Sequence, residues 1–132
     1  MLPHDTLPSK LHFFLVWSSI NILYLDLEEL WGFTYYKTIG VSKKINFYRQ
    51  RWTIAHEIWH IVYWDPAVPI WVPHWKCYQE NRADLFAVNI LLPMDPLLEE
   101  WERYEWDLNK LEVVFWVEKC IIEKRLKQFF KI

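Results

Sequence analysis

Residues Arg51 to Tyr63 constrain this chain more than any other stretch. Trp52, Ile54, Ala55, Ile58, Trp59, Ile61 and Val62 make the segment apolar nearly all round, the pattern of a helix buried on most of its surface. The exceptions are Thr53, His56, Glu57 and His60. They fall at i, i+3, i+4 and i+7 and form one polar stripe. A carboxylate and two imidazoles inside an apolar helix cost free energy unless something compensates them.

A metal ion is the simplest compensation. His56 and His60 stand one turn apart, so both rings reach a single ion from the same face, and Glu57 is placed to take a proton from a water the ion acidifies. Zinc brings the pKa of such a water to near ~7. As a string this is H-E-x-x-H: His56-Glu57-Ile58-Trp59-His60. The alternative is a pair of hydrogen-bonded core histidines, which the polar stripe disfavours. Two histidines leave a site incomplete. A third histidine in the H-E-x-x-H-x-x-G-x-x-H pattern is excluded, because Tyr63 and Pro66 stand where Gly and His are needed. A carboxylate from a following helix is the other arrangement, and Glu80 lies 80 − 60 = 20 positions after His60 with Asp84 one turn further on the same face. Glu80 is then the third ligand and Asp84 an acceptor that orients a histidine N–H. Alone, that pair reads better as the solvated edge of an amphipathic helix, and it is the histidine motif beside it that favours the ligand role. His74 and Cys77 compete as ligands, and His74, Tyr78 and Tyr63 are open candidates for stabilising an oxyanion.

The rest of the chain reads as one domain, residues 1–132, mostly helical with a small sheet. A helix is expected over Leu11–Leu23 and a shorter one over Leu25–Trp31, ended by Gly32. Phe33–Ile39 and Val41–Tyr48 read as a hairpin around Gly40. Asp65, Pro66, Pro69 and Pro73 punctuate a loop. A second long helix runs from Trp75 to Leu92 with Ala83, Phe86, Ala87, Ile90 and Leu91 as its apolar face, and Pro93 stops it. Asp95-Pro96 opens a further helix, Asp107 caps another with Leu108, Leu111 and Phe115 inward, and a last one carries Ile121, Ile122, Leu126 and Phe129.

Composition closes off several classes. A net charge of −2 leaves no basic footprint for direct nucleic-acid binding. The C-terminal cluster Lys119, Lys124, Arg125, Lys127 and Lys131 is interrupted by Glu118 and Glu123, as on a solvated helix face. The apolar run Leu11–Leu25 is too short and too interrupted to span a membrane and lacks a signal-peptide cleavage site. Cys77 and Cys120 fit reduced thiols in a cytoplasmic protein better than a disulfide framework. Ten tryptophans point either to an aromatic-rich core or to a partner surface.

With these residues in view, the chain resembles the ImmA/IrrE metallopeptidases. Their R-x-F-T-x-A-H-E-x-G-H helix, after a strand ending in I-N, is matched by Ile45-Asn46 and then Arg51 through His60. Their E-x-x-A-N-x-F-A-x-x-L-L-x-P signature is matched, nearly in step, from Glu80 to Pro93. The run Asp26-Leu27-Glu28-Glu29-Leu30 before Gly32, and Leu111–Leu126 with Val117 and Arg125-Leu126, are similar as well. The resemblance covers most of the chain from Asp26 onward. It implies an α+β, zincin-like domain with the hairpin beside the H-E-x-x-H helix, a metal on His56, His60 and Glu80, and Glu57 as general base. It also implies a protein substrate such as a helix-turn-helix repressor of stress or mobile-element genes. Three departures stand out. Trp59 replaces the usual Gly and is expected to narrow the cleft, and Asp84 replaces Asn but keeps an acceptor. No DNA-binding domain accompanies the motif, so a repressor would be separately encoded.

Three functions follow for comparison. The first is a zinc peptidase in which Glu57 shuttles the proton. The second is a metal-stabilised binding module or toxin-like partner that holds a regulator without cutting it. The third is a structural domain with no metal. Manganese or iron suits the same ligands as zinc.

Overall fold

The buried helix read from the sequence is the element against which the N-terminal segment, two strands and the following long helix pack. The computed structural model describes residues 2–63 and 73–130, with side chains from Gln79 onward in the segment that begins at 73. In chain order the elements are a 3₁₀ turn (Pro3–Thr6), α1 (Ser9–Trp17), β1 (Asn21–Leu25), β2 (Gly32–Tyr35), β3 (Thr38–Ser42), α2 (Phe47–Val62), α3 (Pro73–Leu91), α4 (Met94–Arg103), α5 (Leu108–Phe115) and α6 (Lys119–Phe130). This is a mostly helical α+β fold with a small three-stranded sheet.

α2 begins four residues before Arg51 because the Asn46 side chain accepts from the Arg49 amide at 2.8 Å; this cap satisfies one of the helix's orphan donors. Ile54, Ala55, Ile58 and Ile61 are buried along it and join Leu11, Ile39, Val41, Leu97, Leu111 and Ile122 in one core. α3 packs along α2 through its buried Ala83, Ala87 and Leu91, with Phe86 and Ile90 only half-buried. The two alanines let the helix backbones approach. Asp107 caps α5 by accepting from Asn109 and Lys110, as its sequence indicates.

The sheet corrects three expectations. The helix expected over Leu11–Leu23 stops at Trp17, and Asn21–Leu25 is a strand. Ser19, at φ 52°, turns the chain between them. No helix forms over Leu25–Trp31. The backbone there bonds to the sheet instead, with Lys43 donating to the Leu25 carbonyl and Ser42 to the Trp31 carbonyl. Gly40 is not the hairpin tip. The turn falls at Tyr36 (φ 53°), and Gly40 sits mid-strand opposite Phe33. A Cβ on Gly40 would lie 2.4 Å from the Phe33 ring, so the glycine makes room for that ring. The strand order is β1-β3-β2, with β1 parallel and β2 antiparallel to the central β3.

At the C-terminal end, α4 starts at Met94 after Pro93, so Asp95 lies inside the first turn and is not the cap. On α6, Ile122 and Leu126 are buried while Phe129 is exposed. No helix among the described residues is long and apolar enough to cross a membrane.

Candidate metal centre

α2 and α3 together assemble the polar stripe. His56 and His60 come from successive turns of α2, and Glu80 and Asp84 from successive turns of α3. Ligand atoms of His56, His60 and Glu80 all lie within 4.8 Å of one another. His56 Nε2 is 3.3 Å from His60 Nε2 and 2.6 Å from Glu80 Oε2, and His60 Nε2 is 3.4 Å from Glu80 Oε1. Asp84 Oδ1 lies 2.7 Å from His56 Nδ1. That carboxylate accepts the Nδ1–H and turns the Nε2 edge of the ring towards His60 and Glu80.

The electrostatics show what the cluster requires. With Nδ1 protonated, the Nε2 lone pair of His56 faces a carboxylate and another imidazole. Such a convergence of acceptors is stable only around a proton or a metal cation. In the protein alone the proton fills that role. Burial pushes the His56 imidazole down, but hydrogen bonds to Asp84 and Glu80 and the charges of Glu57 and Glu80 outweigh it and hold the pKa up at about 10. Hydrogen bonds from His56 and His60 hold the Glu80 carboxyl far below the usual carboxylate range, against the burial that opposes them.

The same set fits a metal. A tetrahedral ion bound at ~2.05 Å keeps its ligand atoms about 3.3 Å apart. The His56–His60 spacing (3.3 Å) matches this, while Glu80 reaches the pair through both oxygens, Oε1 at 3.4 Å from His60 Nε2 and Oε2 at the hydrogen-bond distance of 2.6 Å from His56 Nε2. Two imidazole nitrogens and one carboxylate oxygen are a donor set for zinc, iron or manganese.

Glu57 lies on the side of the histidine pair that faces the sheet, and it is buried. The Thr34 hydroxyl on β2 donates to its Oε2. Sequence reasoning missed Thr34, because a strand threonine carries no local mark of which tertiary group it meets. The contact follows from how β2 docks on α2. Gly32 and Thr34 share one strand face, and Thr53 and Glu57 share one helix face. Two strand residues span ~6.7 Å and four helix residues ~6 Å, so the two pairs come into register. A Cβ on Gly32 would lie 2.5 Å from Thr53 Cγ2, which shows how closely the strand sits.

Trp59 occupies the opposite flank of the histidines from Glu57. Its ring stacks on Tyr63 at 3.9 Å and meets Phe86 at 5.3 Å, with the Arg82 guanidinium 5.5 Å away. The indole therefore fills space between α2 and α3, and does not stand over Glu57. Tyr63 is exposed at the end of α2. The side chains of His74, Cys77 and Tyr78 lie outside the described residues.

Comparison with known proteins bears on the family and the fold. The model of the IrrE N-terminal-like domain, Peptidase M78, matches residues 18–127. Among solved structures, the fold is similar to a Mycobacterium tuberculosis transcriptional regulator with a TM-score of 0.67 and 18% identity, covering 88% of this chain and 39% of that one. This chain thus spans well under half the length of that regulator. Among curated proteins none matches. The family match supports a metallopeptidase-type activity, and it includes both the H-E-x-x-H helix and the Glu80–Pro93 signature. The chain belongs to the IrrE N-terminal-like family of M78 peptidases.

Proposed function

We propose that the protein is a zinc-dependent peptidase that hydrolyses a peptide bond in a protein substrate. The convergence of His56 Nε2, His60 Nε2 and the Glu80 carboxylate beside a buried Glu57 carries this reading. His56, His60 and Glu80 would hold the ion, which supplies Lewis acidity for the hydrolysis. Asp84 fixes the His56 ring. Glu57 takes the proton of the attacking water on its carboxylate and returns it to the leaving amine, which needs one oxygen free and the side chain held still. A regulatory protein as substrate is supported by the family and by the regulator whose fold is similar. A helix-turn-helix repressor in the cytoplasm is the specific form of this proposal.

Metal content and a single substitution test it together. The purified protein should carry about one zinc per chain by elemental analysis. Glu57→Gln should keep that metal and abolish the appearance of new protein N-termini when the protein is incubated with a cell extract. Retained turnover in Glu57→Gln would remove the assigned base. A metal-loaded wild type that cuts nothing but retains an intact partner would favour the binding-module alternative.

A further inference from the structure

We propose that Thr34 is the positioning residue for Glu57, holding one carboxylate oxygen so that the other is presented for proton transfer. The inference rests on the peptidase reading above and adds to it a residue from outside both sequence signatures.

Three observations carry it. First, the Thr34 hydroxyl is the one hydrogen-bond donor recorded for the Glu57 carboxylate among the described residues. Glu57 is buried, and a buried carboxylate held by no donor would rotate towards whichever cation lay nearest. In the metal-loaded protein that is the ion held by the neighbouring histidine pair, where Glu57 would act as an extra ligand instead of a base. Second, the hydroxyl direction is itself constrained. Threonine is β-branched and stiff at χ1 in a strand, and β2 is paired to β3 from Gly32↔Val41 to Tyr35↔Thr38. Third, the strand cannot drift along the helix. Gly32, two residues before Thr34, lies against the Thr53 methyl and the Gly40 carbonyl with no room for a Cβ. Thr53 is one turn before Glu57, so the close contact at one end of the register fixes the hydroxyl–carboxylate contact at the other.

The test uses the metal-loaded protein and two substitutions of Thr34 with opposite chemistry. Thr34→Val keeps the shape and removes the donor, while Thr34→Ser keeps the donor and removes the methyl. We expect Thr34→Val to lower kcat about tenfold or more with KM and zinc content unchanged, and Thr34→Ser to restore most of the loss. A general effect on folding would not be rescued by the smaller serine. A second readout needs no substrate. In a double-mutant cycle of Thr34→Val with Glu57→Met, followed by chemical denaturation, the coupling should be about tenfold in the unfolding equilibrium constant, as for a hydrogen bond to a charged group. Wild-type turnover in Thr34→Val, or additive effects in the cycle, would overturn the proposal. If the metal-loaded wild type cuts nothing, the peptidase reading fails by itself. The cycle then still decides whether Thr34 holds Glu57, and additivity there would end the proposal as well.

Discussion

Two polar groups on α2, little more than a turn apart, one buried and the other half-buried, are satisfied in opposite ways. Arg51 is 5% exposed and spends its guanidinium on neutral oxygens. Nε donates to Thr6 Oγ1 at 2.8 Å, Nη2 to the Thr6 carbonyl at 3.2 Å, and Nη1 to the Phe115 carbonyl at 3.1 Å and to that of Trp116. Burial pushes this guanidinium down to about 10, which still leaves it charged at neutral pH. The network is closed: it brings its own cation and uses it to tie the N-terminal 3₁₀ turn and the end of α5 to α2. The His56–His60–Glu80 cluster contains lone pairs that face one another and holds together only around a proton or an imported cation. Both sites serve the same helix. One is closed on itself, and the other, in the function proposed above, takes up a cation.

Removing a ligand should separate them most. Glu80→Ala deletes the carboxylate of the proposed N,N,O set, and zinc affinity should fall by about 10³-fold, or ~4 kcal/mol, on the scale of one ligand among the few that hold a protein-bound zinc. Competition with a chromophoric chelator would measure it. The metal-free chain should lose stability as well below about pH 6.5, since Glu80 helps hold the His56 imidazolium, and denaturation in chelator reads that loss apart from zinc affinity. Unchanged zinc affinity would show that Glu80 is not a ligand and that one of the other candidates takes its place.

Arg51→Met should do the reverse. It leaves two carbonyls of the α5 end and the Thr6 oxygens without their donor, and the cost of such orphaned acceptors in a buried network is about 3 kcal/mol. Chemical denaturation should register that loss, while zinc stoichiometry in the folded fraction stays at its wild-type value. If Arg51→Met also lost its metal at temperatures where it remains folded, the two networks would be coupled through α2, and the contrast drawn between them would fail.

How much of this was legible beforehand depends on whether the signal is local. The H-E-x-x-H stripe was visible because polar residues at helical spacing in an apolar run need a reason. Glu80 and Asp84 were visible only beside it. Asp107 was readable as a cap because a cap is a local hydrogen bond. β1 was not readable. Ile20–Leu25 is a short apolar run, and such a run does not distinguish a strand from the end of a helix by periodicity. Gly40 reads as a turn because glycine is commonly one, whereas in the fold it answers to the Phe33 ring on the neighbouring strand. Thr34 and Arg51 were silent as partners, since each acts on residues distant in sequence: Thr34 on Glu57, and Arg51 on Thr6 and Phe115.

The finest test of the comparison is pH, because only one of the two networks titrates in the accessible range. For His56 the folded-state pKa, about 10, lies above its ordinary value of 6.5. Its contribution to stability is therefore fully present below pH 6.5 and is lost as pH rises towards 10. Glu80 is held below its ordinary 4.5, so its contribution is present above that pH and is lost only in acid. As far as these two groups decide it, the metal-free protein is most stable between about pH 4.5 and 6.5. Above that window each pH unit should weaken folding by up to about tenfold. Zinc should reverse the trend, because the ion needs the His56 Nε2 lone pair that the proton occupies, and its binding strengthens as the proton leaves. Melting temperatures from pH 6 to 9 should thus fall in chelator and hold level or rise with zinc. Arg51→Met should lower both curves without altering their slopes, since its guanidinium stays charged through most of that range. A metal-free curve that is flat from pH 6 to 9 would mean that folding does not raise the His56 pKa, and the contrast between a proton-filled cluster and a closed arginine network would fail.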